Sequence, residues 1–269
     1  MGFFDKLFGG KTEQEETVKF FGQSKTVLTP IRGKVLAQAD IPDLEESVRQ
    51  LAAGRPVQYV LAHTEFCGMT FEVGEGVLIP RPETEELVAA AAAGAVAGAA
   101  ALDVGTGSGC IAVSLARLIP DARVTAVDLS PQALAVARRN AVRLGAEVRF
   151  VQADALAGLH ELPDAAFDLI VSNPPYVPQS DRAAMHVNVR DYEPPEALFV
   201  PDDDPLRFYR AIGRAARRLL RPDGRLWFEI YERLADETAR LLADEGFGDI
   251  AVRRDINDKP RILCCTARK

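Results

Sequence analysis

Asn173-Pro174-Pro175-Tyr176 is the segment of this sequence best suited to chemistry on a planar nitrogen. An –NH2 group conjugated to a carbonyl or an aromatic ring has a delocalised lone pair and is a poor nucleophile. Two acceptors beside it can take its two hydrogens and turn the lone pair toward an incoming group. Asn173 offers a side-chain oxygen and Pro174 a backbone carbonyl, while the prolines fix φ and remove competing N–H donors. Tyr176 adds a flat face for a planar group. Such a set works by alignment and electrostatic matching, without a covalent intermediate or a strong base. The bland alternative is a turn, since Asn and Pro both favour turns. The apolar run Phe167–Val171 just before it favours the chemical reading.

A second constellation supplies the partner for that nitrogen. Asp103-Val104-Gly105-Thr106-Gly107-Ser108-Gly109 follows a short apolar run and opens a helical pattern. Glycines let backbone approach a ligand closely, and a helix N-terminus offers free N–H groups. The dinucleotide fingerprint is GxGxxG. The spacing here is GxGxG, which favours S-adenosylmethionine, a cofactor with no pyrophosphate to seat on the helix. Asp128 ends the next expected strand, where a carboxylate accepts from ribose hydroxyls. Asp154 ends the one after, where the residue or its backbone can read an adenine amino group. Together these residues predict methyl transfer from S-adenosylmethionine to a planar nitrogen, leaving S-adenosylhomocysteine. Adenine in nucleic acid and glutamine in protein both present such a nitrogen. A nicotinamide oxidoreductase and a non-catalytic binding module are weaker readings of the same fold.

The elements that must hold these residues alternate in type. From Pro80 onward, strands are expected at 100–104, 123–127, 147–151, 167–171 and 225–230. Helices are expected at 109–118, from Ser130-Pro131 (N-cap and first helical residue), from Asp204-Pro205 to about Leu220, and over about 234–245. The runs 249–254 and 261–266 are close enough to pair antiparallel. This predicts an α/β, Rossmann-like fold: a mostly parallel seven-stranded sheet with an antiparallel terminal strand and helices on both faces. Ahead of it, Asp43 caps a helix to about Ala53, and Gly54 ends it. Residues 1–40 give weak signals. Alternation around Gly68 and Gly74 predicts a β-hairpin. The expected organisation is an N-terminal helical region over 1–56, a hairpin connector over 57–79 and the main domain over 80–269.

Composition narrows the class. The 269 residues are 48% hydrophobic and 26% charged, an ordinary globular mix with a substantial core. The net charge of −7 argues against a broad phosphate-binding surface, so no direct nucleic-acid binding is expected. Cys67, Cys110, Cys264 and Cys265 lack CxxC spacing, which suits a reduced cytoplasmic compartment. His63, His160 and His186 are scattered, so no metal site is expected. No run reaches the apolar length of a membrane span. A cytoplasmic monomer is the expectation.

Three stretches together resemble one family. Arg55–Val60, Leu78–Glu85 (with Pro80-Arg81-Pro82-Glu83-Thr84-Glu85 the specific part) and the glycine loop with Asn173–Tyr176 look like the bacterial release-factor glutamine methyltransferases. Arg190, Glu193-Pro194 and Ala197-Leu198 match that family's loop after the tetrapeptide, and the resemblance covers about 42–269. It implies methylation of the glutamine side-chain amide in the GGQ loop of peptide chain release factors. The runners-up are an adenine-N6 nucleic-acid methyltransferase and a glutamine methyltransferase acting on a ribosomal protein. By the resemblance, the cofactor is contacted by Gly105, Thr106, Gly107, Ser108, Gly109, Asp128, Leu129, Asp154, Ala155 and Asn173. Asn173, Pro174, Pro175 and Tyr176 hold the glutamine amide, with Arg81 and Glu83 shaping the site's lid. The region 1–56 would dock the release factor, although it is shorter than the family's N-terminal domain.

Overall fold

A computed structural model describes residues 44–268, together with the backbone of two short strands, β1 (Thr17–Phe20) and β2 (Gln23–Thr26). The chain divides into two units, residues 1–49 and 50–269. In the first, β1 and β2 pair antiparallel with Thr17 opposite Thr26, a strand pair where a helical region is expected. Thr17, Val18 and Phe20 are good strand formers, which accounts for the difference. Helix α1 (Leu44–Ala52) is the helical part of this region. The docking role expected of 1–56 otherwise lies outside the described residues.

The expected connector is only partly a hairpin. Pro56, with its fixed φ, heads a short helix, α2 (Val57–Leu61), that ends on Ala62 at φ 60°. The hairpin is β3 (His63–Phe66) with β4 (Met69–Glu72), joined by Cys67 and Gly68. Both loop residues have positive φ, 48° and 71°, as the right-handed strand twist requires of a two-residue turn. Beyond β4 the chain is irregular but anchored, with Val73, Val77 and Ile79 packed on Ala133 and Val136.

Helix α3 (Pro82–Ala93) then leads into the alternating domain. Its elements are β5 (Ala100–Val104), α4 (Cys110–Leu118), β6 (Arg123–Asp128), α5 (Pro131–Arg143), β7 (Val148–Gln152) and β8 (Phe167–Ser172). A loop region follows, holding β9 (Val177–Pro178), α6 (Val187–Arg190) and β10 (Phe199–Val200). The chain ends with α7 (Arg207–Leu219), β11 (Leu220–Glu229), α8 (Ala235–Asp244), β12 (Phe247–Arg254) and β13 (Pro260–Ala267). Ser130 Oγ accepts from Ala133 N at 3.2 Å, the expected cap of α5. Asp204 does not cap α7: its carboxylate accepts twice from Arg210 Nη1 at 3.0 Å, and the helix begins at Arg207.

The large sheet runs β12-β13-β11-β8-β5-β6-β7. Its five strands from β11 to β7 are parallel, and β13 lies antiparallel between β11 and β12. One core cluster includes Leu102, Ile170, Phe228 and Tyr209. A second includes Leu87, Ala101, Val171 and Trp227. Leu102 and Ala101, Ile170 and Val171, and Phe228 and Trp227 are neighbouring positions of β5, β8 and β11, so these three strands are buried on both faces, with Tyr209 of α7 in the first cluster and Leu87 of α3 in the second. Chain order reverses between β5 and β8, and a crevice opens at that switch point beyond the carboxyl ends of the strands.

Candidate active site

Strand register brings the site together. Val104 pairs with Val127 on one side and Ser172 on the other, and Ser172 pairs with Phe228. Gly105, Asp128, Asn173 and Glu229 therefore leave, or end, four adjacent strands at one level.

A cavity of about 350 Å³ opens over these ends, lined by Gly105, Gly107, Asp128, Leu129, Asp154, Ala155, Asn173 and Pro175 among others. Gly105 and Gly107 have φ of +77° and +55°, and a Cβ on either would meet nothing within 4 Å. Both present bare backbone to open space. Asp128 Oδ2 accepts from Gly107 N at 2.8 Å and Oδ1 from Ser130 N at 2.9 Å. Burial raises the Asp128 carboxyl above its usual range, and these backbone donors oppose the rise. Asp154 Oδ1 caps the turn that follows, accepting from Leu156 N at 2.8 Å.

Three residues of the loop lie outside this cavity's lining. Thr106 points inward, its Oγ1 donating to Asp103 Oδ2 at 2.6 Å, beside a bond from Ala112 N to the same oxygen at 3.1 Å. Asp103 is wholly buried and its carboxyl is pushed up to about 7 by that burial. Ser108 is buried, with its carbonyl accepting from Asn140 Nδ2 at 2.9 Å. A Cβ on Gly109 would lie 3.0 Å from Ala137 Cβ and 3.1 Å from its Cα. Its glycine lets α4 meet α5 and has no ligand to admit. Thr106, Ser108 and Gly109, expected at the cofactor, shape the turn that presents Gly105 and Gly107 to the cavity.

A smaller cavity of about 40 Å³ adjoins, with Arg81, Asn173, Pro174, Tyr176 and Glu229 in its wall. Leu78, Asn173 and Ala197 belong to both cavities. Asn173 Nδ2 donates to Thr84 Oγ1 at 3.2 Å, and Thr84 Oγ1 donates to Glu229 Oε2 at 2.6 Å. Tyr176 OH donates to Glu229 Oε1 at 3.0 Å, while its ring stacks on Tyr231 at 5.9 Å between centroids. Burial drives the Glu229 carboxyl up, against the bonds from Thr84 and Tyr176 and the charge of Arg261. Arg81 Nη2 donates to buried Glu193 Oε1 at 2.5 Å, and Ile79 N donates to Oε2 at 3.0 Å, tying the start of α3 to the loop before β10. Two other residues expected at the substrate lie outside the smaller cavity's lining. Pro175 faces the larger cavity, and Glu83 lines neither, its carboxylate accepting from Asn257 Nδ2 at 3.3 Å.

Sequence reasoning passed over Thr84, Glu229 and Tyr231 as site residues. Thr84 lay inside the specific segment 80–85, and Glu229 is an acidic residue ending an apolar strand, a signal as legible as Asp128. Among the described residues no group of three His, Cys, Asp or Glu could hold a metal ion, and no helix is long and apolar enough to cross a membrane.

The larger cavity fits S-adenosylmethionine. Bare backbone at Gly105 and Gly107 admits a close ligand, Asp128 would hold ribose hydroxyls, and Asp154 would face the adenine amino group. Fold and paired cavities define a Rossmann-like, S-adenosylmethionine-dependent methyltransferase. A family model described as a methyltransferase domain matches residues 101–192. Among solved structures, a methyltransferase from Pyrococcus furiosus shares the fold, with a TM-score of 0.56 and 18% identity over 84% of this chain and 100% of that one. The release factor glutamine methyltransferase of Bacteroides thetaiotaomicron is 45% identical over 229 residues, which is 85% of this chain and 82% of that protein. That of Chlorobaculum tepidum is 44% identical over 243 residues, 87% and 82% of the two chains. The chain belongs to the release factor glutamine methyltransferase family.

Proposed function

We propose that the protein transfers a methyl group from S-adenosylmethionine to the side-chain amide nitrogen of the glutamine in the GGQ loop of peptide chain release factors. The observation that carries this reading is the meeting of the two cavities at Asn173. The smaller, at about 40 Å³, has room for a few water-sized groups, the scale of a carboxamide head. That size, with the net charge of −7, favours glutamine over adenine in nucleic acid.

Bound S-adenosylmethionine supplies a methyl group on a cationic sulfur. The chain's own contribution is to present the nitrogen. Asn173 Oδ1 and the Pro174 carbonyl accept the two amide hydrogens, which turns the nitrogen lone pair toward the larger cavity. Tyr176, held by Glu229 and stacked on Tyr231, closes the pocket and excludes water. Alignment of this kind replaces the entropy of a random encounter, and no general base is required before transfer.

Mass spectrometry of a release factor, after incubation with the protein and S-adenosylmethionine, tests the reading. The expected result is a gain of one CH2 on the GGQ glutamine. A methyl group found only on DNA adenine, or only on a ribosomal-protein glutamine, would overturn it in favour of one of those substrates.

A further inference from the structure

We infer that Thr84 and Glu229 are positioning residues that set the direction of the Asn173 amide, so that Oδ1 rather than Nδ2 meets the substrate –NH2. The inference deepens the proposed acceptor role of Asn173 and rests on it. The two ends of an asparagine amide are nearly identical in shape, and only their bonds say which faces which way. Here the bonds decide it. A threonine hydroxyl has a single hydrogen, and Thr84 spends it on Glu229 Oε2 at 2.6 Å. Toward Asn173 its oxygen can therefore only accept, and the 3.2 Å contact must be a donation from Nδ2. Turning the amide over would set Oδ1 against the Thr84 oxygen, acceptor against acceptor. It would also offer Nδ2 to the substrate –NH2, donor against donor.

The Asn173 side chain makes its one hydrogen bond among the described residues through Nδ2, which leaves Oδ1 available for the hydrogen of an incoming amide. The other Glu229 oxygen is occupied as well, accepting from Tyr176 OH at 3.0 Å. One buried carboxylate thus holds both ends of the tetrapeptide, through Thr84 at Asn173 and directly at Tyr176. Glu229 is 1% exposed and Thr84 2%, so water does not compete for either bond.

Thr84→Val tests this on the full chain, because valine keeps the shape and loses the hydroxyl. With a release factor as substrate, kcat should fall about 10- to 100-fold, the scale of misplacing a reacting group. The KM for S-adenosylmethionine should stay within about threefold, since Thr84 does not line the larger cavity. Thr84→Ser, which restores the hydroxyl, should return kcat to within about threefold of wild type. In an Asn173→Ala background, Thr84→Val should cost nothing further, because its effect passes through Asn173. Unchanged kcat in Thr84→Val, no rescue by serine, or a full additive loss in the Asn173→Ala background would each overturn the inference. If Thr84→Val fails to fold, Thr84→Ala, which also lacks the hydroxyl, takes its place in the comparison with Thr84→Ser and in the cycle with Asn173→Ala. A wild-type protein that leaves the release factor unmethylated would instead remove the proposed function itself, which keeps the two failures apart.

Discussion

Gly107 and Gly109 share a left-handed backbone for different reasons, and substitution should separate them. At Gly107, φ is +55° and a Cβ would enter open space over the cavity. Gly107→Ala should cost about 1–2 kcal/mol of stability from backbone strain alone. Its larger effect should be at least about tenfold weaker binding of S-adenosylhomocysteine, because the new methyl stands where the ligand approaches. At Gly109, φ is +83° and the new Cβ would press on Ala137, including its backbone Cα at 3.1 Å. Gly109→Ala should therefore add about 1–3 kcal/mol of overpacking to the same strain. Melting curves with and without S-adenosylhomocysteine check both: at saturating ligand, ligand-induced stabilisation should shrink by about 1.4 kcal/mol or more in the first variant and survive in the second. Equal behaviour of the two would refute this division of the loop. The repeat in Gly105–Gly109 marks a tight turn, yet it does not say on which side of the turn each Cβ would fall. That depends on α5, whose approach comes from packing far along the chain. For the same reason the motif does not show the inward bonds of the Thr106 hydroxyl and the Ser108 carbonyl.

Asn140 on α5 does for the connector what a neighbouring strand would do. Its Oδ1 accepts from Glu72 N at 2.7 Å, and its Nδ2 donates to Glu72 O and to Ser108 O, both at 2.9 Å. One buried side chain thus joins β4, α5 and the glycine turn. Asn140→Leu fills similar space but leaves three backbone groups without partners, at about 1–3 kcal/mol for each that stays dry. Urea unfolding should show a loss of about 3 kcal/mol or more, with a raised KM for S-adenosylmethionine because Ser108 no longer closes the turn. Stability within about 0.5 kcal/mol of wild type would mean that water replaces the amide freely. Elements between Ala100 and Ser172 were legible because apolar runs and capped helices alternate in local register. The connector was less so: Pro56 begins a helix where alternation suggests a strand, and the partner that docks it lies 68 residues away at Asn140. Asp204 misled in the same way, since Arg210 claims the carboxylate that would otherwise have capped α7.

At the scale of the whole molecule, buried carboxylates beneath the site set how stability changes with pH. Asp103, Asp128 and Glu229 are raised above their ordinary values, in each case chiefly by burial. Asp168, beside Arg221 and the Ala100 N–H, and Asp255, beside Arg261 and the Lys259 N–H, are lowered. The lowered groups stabilise the fold above the unfolded carboxylate range, and that contribution is lost as pH falls through their folded values. The raised groups act oppositely. Asp103 titrates near 3.8 unfolded and about 7 folded. Its contribution is complete below the unfolded value, declines as pH rises from there, and is gone above the folded value, because the native state binds the extra proton throughout that window. Asp103→Asn removes this proton linkage while keeping an oxygen for Thr106 and Ala112. It strands an –NH2 where Oδ1 has no partner, at a cost independent of pH. Wild type should therefore lose about 2 kcal/mol relative to Asp103→Asn between about pH 5 and about pH 8, read by urea unfolding at several pH values. A difference that stays constant over that interval would mean Asp103 is ionised throughout, with Thr106 and Ala112 outweighing burial beneath the glycine turn.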